Sequence, residues 1–271
     1  MTDLLLSSVN WKNFGIVVAI CVVLSTVLAL LIFLVSKLCA VKEDEKAKAI
    51  AEKLAGANCG GCGFAGCSDF AKALSEGRAE IGRCGPTPNE NKKEIAEILG
   101  IPFADGEETV AVVHCAGGDK SKDKFVYYGN EGCIAQSACM GGKKVCKEGC
   151  LGGGTCKNNC PYHAITLKDG VAVVSREACE SCGLCVKNCP KNIIGLIPKS
   201  SVVYVACSSS CKGKEAMDIC KVSCIGCGLC ARNCPTGAIT MNGNFPVINY
   251  SLCTGCKTCV LKCPRKCIKE L

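Results

Sequence analysis

An α+β chain is expected here, made of one N-terminal transmembrane helix, a small cysteine-rich domain and two tandem modules on a common plan. Three features carry that expectation. The run FGIVVAICVVLSTVLALLIFLV, Phe14 to Val35, holds 22 residues without a charge. Of 271 residues 29 are cysteine, and most of these fall in C-x₂-C strings that close on Cys-Pro. The second half of the chain also repeats itself, cysteine for cysteine.

The apolar run is long enough to cross a hydrocarbon core as one helix. A signal peptide has a shorter apolar stretch and a basic stretch before it, neither of which this segment has. Lys37, Lys42, Lys46 and Lys48 follow the run and only Lys12 precedes it. The lysine bias places the carboxyl side in the cytoplasm, although Glu43, Asp44 and Glu45 dilute it. Cys21 and Cys39, in and beside the span, read as small apolar residues.

Residues 1–38 therefore form the anchor. A helix from Lys42 to Leu54 leads away from it, and residues 39–107 make up the small domain with its linker. That domain carries NCGGCGFAGC, a later Cys84, and the helix NENKKEIAEIL, which Gly100 and Pro102 end.

Beyond it, VAVVHCAGGDKSK and VVYVACSSSCKGK open two units, and CKEGCLGGGTCKNNCPYHAIT lies without gaps over CKVSCIGCGLCARNCPTGAIT. Cys146 matches Cys220, Cys150 matches Cys224, Cys156 matches Cys230 and Cys160 matches Cys234, while Gly153 faces Cys227. CESCGLCVKNCP then corresponds to CTGCKTCVLKCP. Each unit thus has two four-cysteine runs separated by short β-like segments, the layout of a two-cluster ferredoxin. Residues 108–200 and 201–271 are expected to be two tandem two-cluster ferredoxin-like modules, and residues 39–107 a small four-iron cluster domain.

In such modules three cysteines of one run and the fourth of the other hold each 4Fe-4S cluster. The last module gives Cys224, Cys227, Cys230 with Cys263, and Cys253, Cys256, Cys259 with Cys234. The first gives Cys179, Cys182, Cys185 with Cys160. Its partner set has Cys150, Cys156 and Cys189 but lacks a ligand where Gly153 stands. Cys146 is the favoured substitute, with Cys133 or Cys139 as outside candidates and a three-iron cluster as the other reading. In the small domain Cys59, Cys62, Cys67 and Cys84 suit a further four-iron cluster, since interspersed glycines let backbone amides approach the sulfurs. Five 4Fe-4S clusters follow. Six spare thiols at the start of the two modules, Cys115, Cys133, Cys139, Cys207, Cys211 and Cys220, leave room for a sixth; Cys267 has no assigned work.

Disulfides fit poorly with C-x-x-C spacing in a chain of this length. Zinc, the other four-cysteine metal, usually pairs two separate C-x-x-C knuckles. The formal charge of +8 does not argue for nucleic acid. A four-iron cluster on four thiolates carries about −2, so five would bring the loaded chain to about −2. His114 and His163 read as surface or packing residues. No Walker loop, dinucleotide fingerprint or hydrolytic constellation occurs, because GLGGGT lies inside a cysteine run. The single span has no ionisable residue to form an ion path. No catalytic residue is assigned: the chain reads as an electron wire anchored to a lipid bilayer.

One span, then CGGCGFAGC with Cys84, then tandem ferredoxin motifs: over essentially its whole length the sequence resembles the B subunits of the Rnf complexes. The resemblance implies an iron–sulfur electron-transfer subunit of a single-pass membrane complex, with its cluster domains in the cytoplasm. It implies reduced ferredoxin as donor, further membrane and peripheral subunits as partners, and NAD reduction coupled to Na⁺ or H⁺ transport. It also implies that Cys59, Cys62, Cys67 and Cys84 hold the family's four-iron domain. The Gly153 run departs from the pattern. Two alternatives stand beside it: a membrane-anchored polyferredoxin feeding a different reductase, and a zinc-organised interaction protein.

Overall fold

The computed structural model describes residues 11–38, 44–104 and 106–271. Two compact units result, one reaching Asp44 and one running from Glu45 to Leu271. The first consists of helix α1, Trp11–Leu38, which contains the expected span. Phe14–Lys37 is long and apolar enough to cross a membrane, with a mean hydropathy of 3.2. Its two central hydroxyls are satisfied within the helix: Ser25 Oγ donates to Val22 O at 3.0 Å and Thr26 Oγ1 to Val23 O at 2.8 Å. Such internal bonding lets a hydroxyl sit in hydrocarbon. Cys39 and Lys42 lie outside the described residues.

In the second unit, helix α2 covers Glu45–Lys53, shorter than the expected Lys42–Leu54, whose first residues fall outside the description. It packs with α3, Cys67–Ser75, and α4, Asn89–Leu99, around Ile50, Leu54, Phe70, Leu74, Ile81 and Ile95. Gly100 ends α4 in the left-handed region at φ 70°, a conformation that costs glycine little. Asn91 Nδ2 donates to Lys53 O at 2.7 Å, tying α4 to the end of α2.

The remainder holds eight short strands in four antiparallel pairs. β1, Thr109–Val113, pairs with β4, Ile194–Pro198, and between them lies the hairpin β2, Ile165–Lys168, with β3, Val171–Val174. β5, Val203–Val205, pairs with β8, Ile268–Glu270, around the hairpin β6, Ile239–Asn242, with β7, Phe245–Ile248. Both halves thus fold on one plan: first strand with last, hairpin between. Each strand is too short to stand alone. Isoleucine and valine from strands of both pairs instead bury against cysteines in a shared core.

Besides α5, Cys133–Ala138, and α8, Gly213–Ile219, four one-turn helices complete the plan: α6, Thr155–Asn158; α7, Leu184–Lys187; α9, Leu229–Arg232; and α10, Thr258–Lys262. Each carries the third cysteine of a run. Each follows a left-handed residue, namely Gly154, Gly183, Gly228 and Lys257 at φ between 58° and 76°. That reversal turns the C-x₂-C-x₂ loop back on itself, so three thiols face one space while the chain past Cys-Pro leaves for the other run.

Candidate metal centres

Cys160, Cys179, Cys182 and Cys185 line one cavity. Cys234, Cys253, Cys256 and Cys259 line another. These are two of the expected sets, each crossing between runs. Cys224, Cys227 and Cys263 all lie beside Cys230, whose thiol is pushed up to about 11, first by burial and then by those neighbours. Cys267 is fully buried against Cys224 and Cys263. Hydrogen bonding to it holds Cys263 down to about 5 and Cys224 to about 6, and raises Cys267 in turn. Cys267 therefore contacts ligand candidates and is no spare surface thiol. In the small domain Cys84 lies beside Cys62 and Cys67; burial raises it and the Thr87 hydroxyl, donating at 3.1 Å, counters that. Asn58 closes the NCGGCGFAGC loop by accepting from Cys67 N at 2.8 Å. Cys59 lies on the side of this loop that faces Cys182.

The Gly153 run is where expectation and structure part. Its cavity is lined by Cys150, Cys156, Cys189 and Cys133, and not by Cys146. Cys133 opens helix α5, Cys133–Ala138, and its N–H donates to Thr155 Oγ1 at 2.7 Å. A Cβ at Gly153 would stand 2.7 Å from Cys133 N and 2.8 Å from Gln136 Nε2, too close for any side chain. The glycine admits α5, and α5 brings the thiol. Cys156, next to Cys150, Cys133 and Cys189, is pushed up to about 11 chiefly by burial. Cys146 instead faces a different cavity, where burial pushes it up to about 12. The structure thus brings Cys133, an outside candidate on spacing alone, to the cavity of this run, and places the favoured Cys146 at another.

Motif spacing could not find Cys133, which belongs to no C-x₂-C string. A signal did exist: the stretch from Cys115 to Cys146 is much longer than its counterpart from Cys207 to Cys220, and the extra chain carries Cys133. Cys139 is exposed, and Cys211 donates to Glu215 Oε1 at 3.5 Å; neither lines these cavities. His114 packs at the seam of the two halves with Nδ1 2.7 Å from Val205 O, as expected of a packing residue.

Among the described residues, no three His, Cys, Asp or Glu side chains close on a point that could hold one metal ion. The thiols surround volumes instead, lined otherwise by aliphatic residues and a few polar ones, among them Glu180, Lys257 and Lys191. Four soft thiolates around such a volume are the donor set of an iron–sulfur cluster.

The small domain abuts the first half directly. Lys187 Nζ donates to Gly61 O at 2.6 Å, and any Cβ on Gly61 or Gly85 would strike the Cys182 or Ser181 carbonyl. Tyr162, next to Cys59 and Cys182, has its hydroxyl buried at this seam, and that burial lowers its acidity.

Comparison with known proteins agrees with this geometry. Residues 54–86 match a family described as a putative Fe-S cluster, 172–195 a 4Fe-4S binding domain and 223–267 a 4Fe-4S dicluster domain. The B subunit of the Na(+)-translocating ferredoxin:NAD(+) oxidoreductase complex of Acetobacterium woodii is 38% identical over 86% of this chain and 71% of its own. The B subunit of the ion-translocating oxidoreductase complex of Methanosarcina acetivorans is 37% identical over 81% of this chain and 84% of its own. The B subunit of the proton-translocating ferredoxin:NAD(+) oxidoreductase complex of Clostridium ljungdahlii is 37% identical over 94% and 92%. With thiol sets, family matches and near full-length relatives in accord, the chain belongs to the Rnf family of ion-translocating oxidoreductase B subunits.

Proposed function

We propose that this chain is the iron–sulfur electron-transfer subunit of a membrane-bound ion-translocating ferredoxin:NAD oxidoreductase. It takes electrons from reduced ferredoxin and passes them towards NAD reduction coupled to Na⁺ or H⁺ transport. The observation that carries this reading is the succession of four-thiol sets in one compact unit, in a chain aligned nearly end to end with such subunits.

Five 4Fe-4S clusters are assigned by their ligands: Cys59, Cys62, Cys67, Cys84; Cys160, Cys179, Cys182, Cys185; Cys133, Cys150, Cys156, Cys189; Cys224, Cys227, Cys230, Cys263; and Cys234, Cys253, Cys256, Cys259. Residues 108–200 and 201–271 are read as two ferredoxin-like modules, and residues 39–107 as the four-iron domain with its linker. When bound, each cluster takes up and releases one electron without moving the protein around it. The chain does the rest. Cys84, Cys133, Cys150, Cys156, Cys185, Cys224, Cys230 and Cys259 are buried, Cys267 N–H donates to Cys263 Sγ at 3.3 Å, and short helices fix the loops, so little rearrangement accompanies each transfer. Residues 1–38 anchor the chain in the bilayer, and the lysine bias puts the cluster domains in the cytoplasm with the other subunits as partners.

The test is anaerobic titration of the full chain in detergent with reduced ferredoxin, followed by absorbance near 400 nm and EPR. Bleaching and the appearance of several interacting reduced-cluster signals are expected. A protein that chemical reductant bleaches but reduced ferredoxin leaves oxidised is not the acceptor proposed here; it would instead serve a different reductase.

A further inference from the structure

With Cys133 completing the Gly153 set, Cys146 is left facing a second volume. Cys115, Cys207 and Cys220 line the same volume, between the two halves of the repeat. Each half contributes the same two thiols, since Cys115 is the counterpart of Cys207 and Cys146 that of Cys220. The surroundings repeat too. Cys115 and Cys207 face one another across an antiparallel bridge. Cys150 N–H donates to Cys115 Sγ at 3.4 Å, and its counterpart Cys224 N–H donates to Cys207 Sγ at 3.3 Å. Gly149 N–H donates to Cys146 O at 3.1 Å, and its counterpart Ser223 N–H donates to Cys220 O at 3.3 Å. Cys146, Cys207 and Cys220 are buried and Cys115 is half-buried.

Two details mark this as a built site rather than packed thiols. A Cβ on Gly117 would sit 3.2 Å from Cys220 Sγ and 3.6 Å from Cys115 Sγ. Glycine here keeps the space between two sulfurs clear. Two cations brace the loops that carry the thiols. Lys144, almost fully buried, donates from Nζ to Gly118 O at 2.8 Å and pairs with Asp123 at 2.8 Å. Arg265 donates to Cys220 O at 3.3 Å. Lys144 is already paired with Asp123, and the charged residue lining the cavity itself is Glu148, so both cations act here by fixing the loops that carry the thiols.

We infer that Cys115, Cys146, Cys207 and Cys220 hold a sixth 4Fe-4S cluster on the pseudo-twofold axis between the two modules. It rests on the iron–sulfur reading of the chain and on Cys133, not Cys146, closing the neighbouring set. Four thiols give up four protons on ligation, and four thiolates on a +2 core leave a net charge of −2. The site touches the neighbouring set on each side, through Cys150 next to Cys115 and Cys224 next to Cys207. It therefore joins two modules that would otherwise be separate wires.

The experiment is iron, sulfide and zinc analysis of the full chain, purified anaerobically in detergent, with spin counting after full reduction. About 24 iron atoms per chain are expected rather than about 20. The double variant Cys115→Ser/Cys207→Ser should lose about four iron atoms and one spin, and Cys133→Ser should separately reduce a different cluster. Native protein with about 20 iron atoms, unchanged in the double variant but reduced in Cys133→Ser, overturns the sixth cluster and leaves the five-cluster reading standing. One zinc per chain that disappears in the double variant also overturns it. Native protein without any iron would sink the iron–sulfur reading itself. If the double variant does not fold, the single variant Cys146→Ser decides: a three-iron EPR signal or the loss of about four iron atoms is expected with the other clusters intact, whereas unchanged iron content and spin count refute the site.

Discussion

A glycine and a cysteine twenty residues apart shape one of the proposed ligand sets. Gly153 stands where a ligand belongs, and a side chain there would collide with Cys133 N at 2.7 Å. Two substitutions separate the roles of the competing thiols. Cys133→Ser removes a corner of the Cys150, Cys156, Cys189 set and should yield a three-iron signal in the oxidised EPR spectrum or lose about four iron atoms. Gly153→Cys should not rescue it in place, because the new Cβ forces α5 away. A restored four-iron spectrum in the Cys133→Ser/Gly153→Cys double variant would show that α5 yields without cost and that the steric account is wrong. At this scale the sequence was legible wherever spacing alone determines geometry. Cys179, Cys182 and Cys185 reach one cavity with Cys160 because a three-cysteine loop can wrap only one way. Cys133 was not legible, because a contact made by an inserted helix carries no spacing signature.

Among elements, the repeat alignment carried most of the fold. Corresponding strings became corresponding loops, one-turn helices and hairpins, and β1 with β4 mirrors β5 with β8. What the alignment could not carry is how the small domain meets the modules, since no residue pattern encodes a seam between unlike elements. There the structure points to Gly61 and Gly85, whose missing side chains let the small-domain loops reach the carbonyls of Ser181 and Cys182. Gly61→Val combined with Gly85→Val should separate the two loops at a cost of about 1–3 kcal/mol each. Hydrogen exchange should then rise across residues 181–187 while the small-domain core around Phe70 keeps its protection. Undiminished protection at residues 181–187 would mean the seam is held by other contacts, Lys187 to Gly61 O foremost.

On the scale of the whole molecule, the anchor and the charge balance are both open to measurement. The span Phe14–Lys37 is the candidate for membrane association, so a chain starting at Glu45 should remain in the supernatant after ultracentrifugation while keeping its brown colour; co-sedimentation of that shorter chain with membranes would assign the attachment to partner subunits instead. Charge gives the last test. The chain has 32 lysines and arginines against 24 aspartates and glutamates, a formal +8 with neutral thiols. Burial raises Cys156, Cys185, Cys207 and Cys230 to about 11 or 12 and they keep their protons at neutral pH, whereas Cys263 and Cys224, held down to about 5 and 6, lose theirs; +8 less those two thiolates leaves the metal-free protein basic. Each cluster replaces four such protons by a net charge of about −2. Five clusters bring the molecule to about −2 and six to about −4. The basic excess thus offsets the cargo, leaving a surface without strong attraction for nucleic acid. Anaerobic native electrophoresis of the full chain in non-ionic detergent at pH 7 should show holoprotein moving towards the anode and chelator-stripped protein towards the cathode. Holoprotein that still moves towards the cathode would mean that fewer than five clusters are bound.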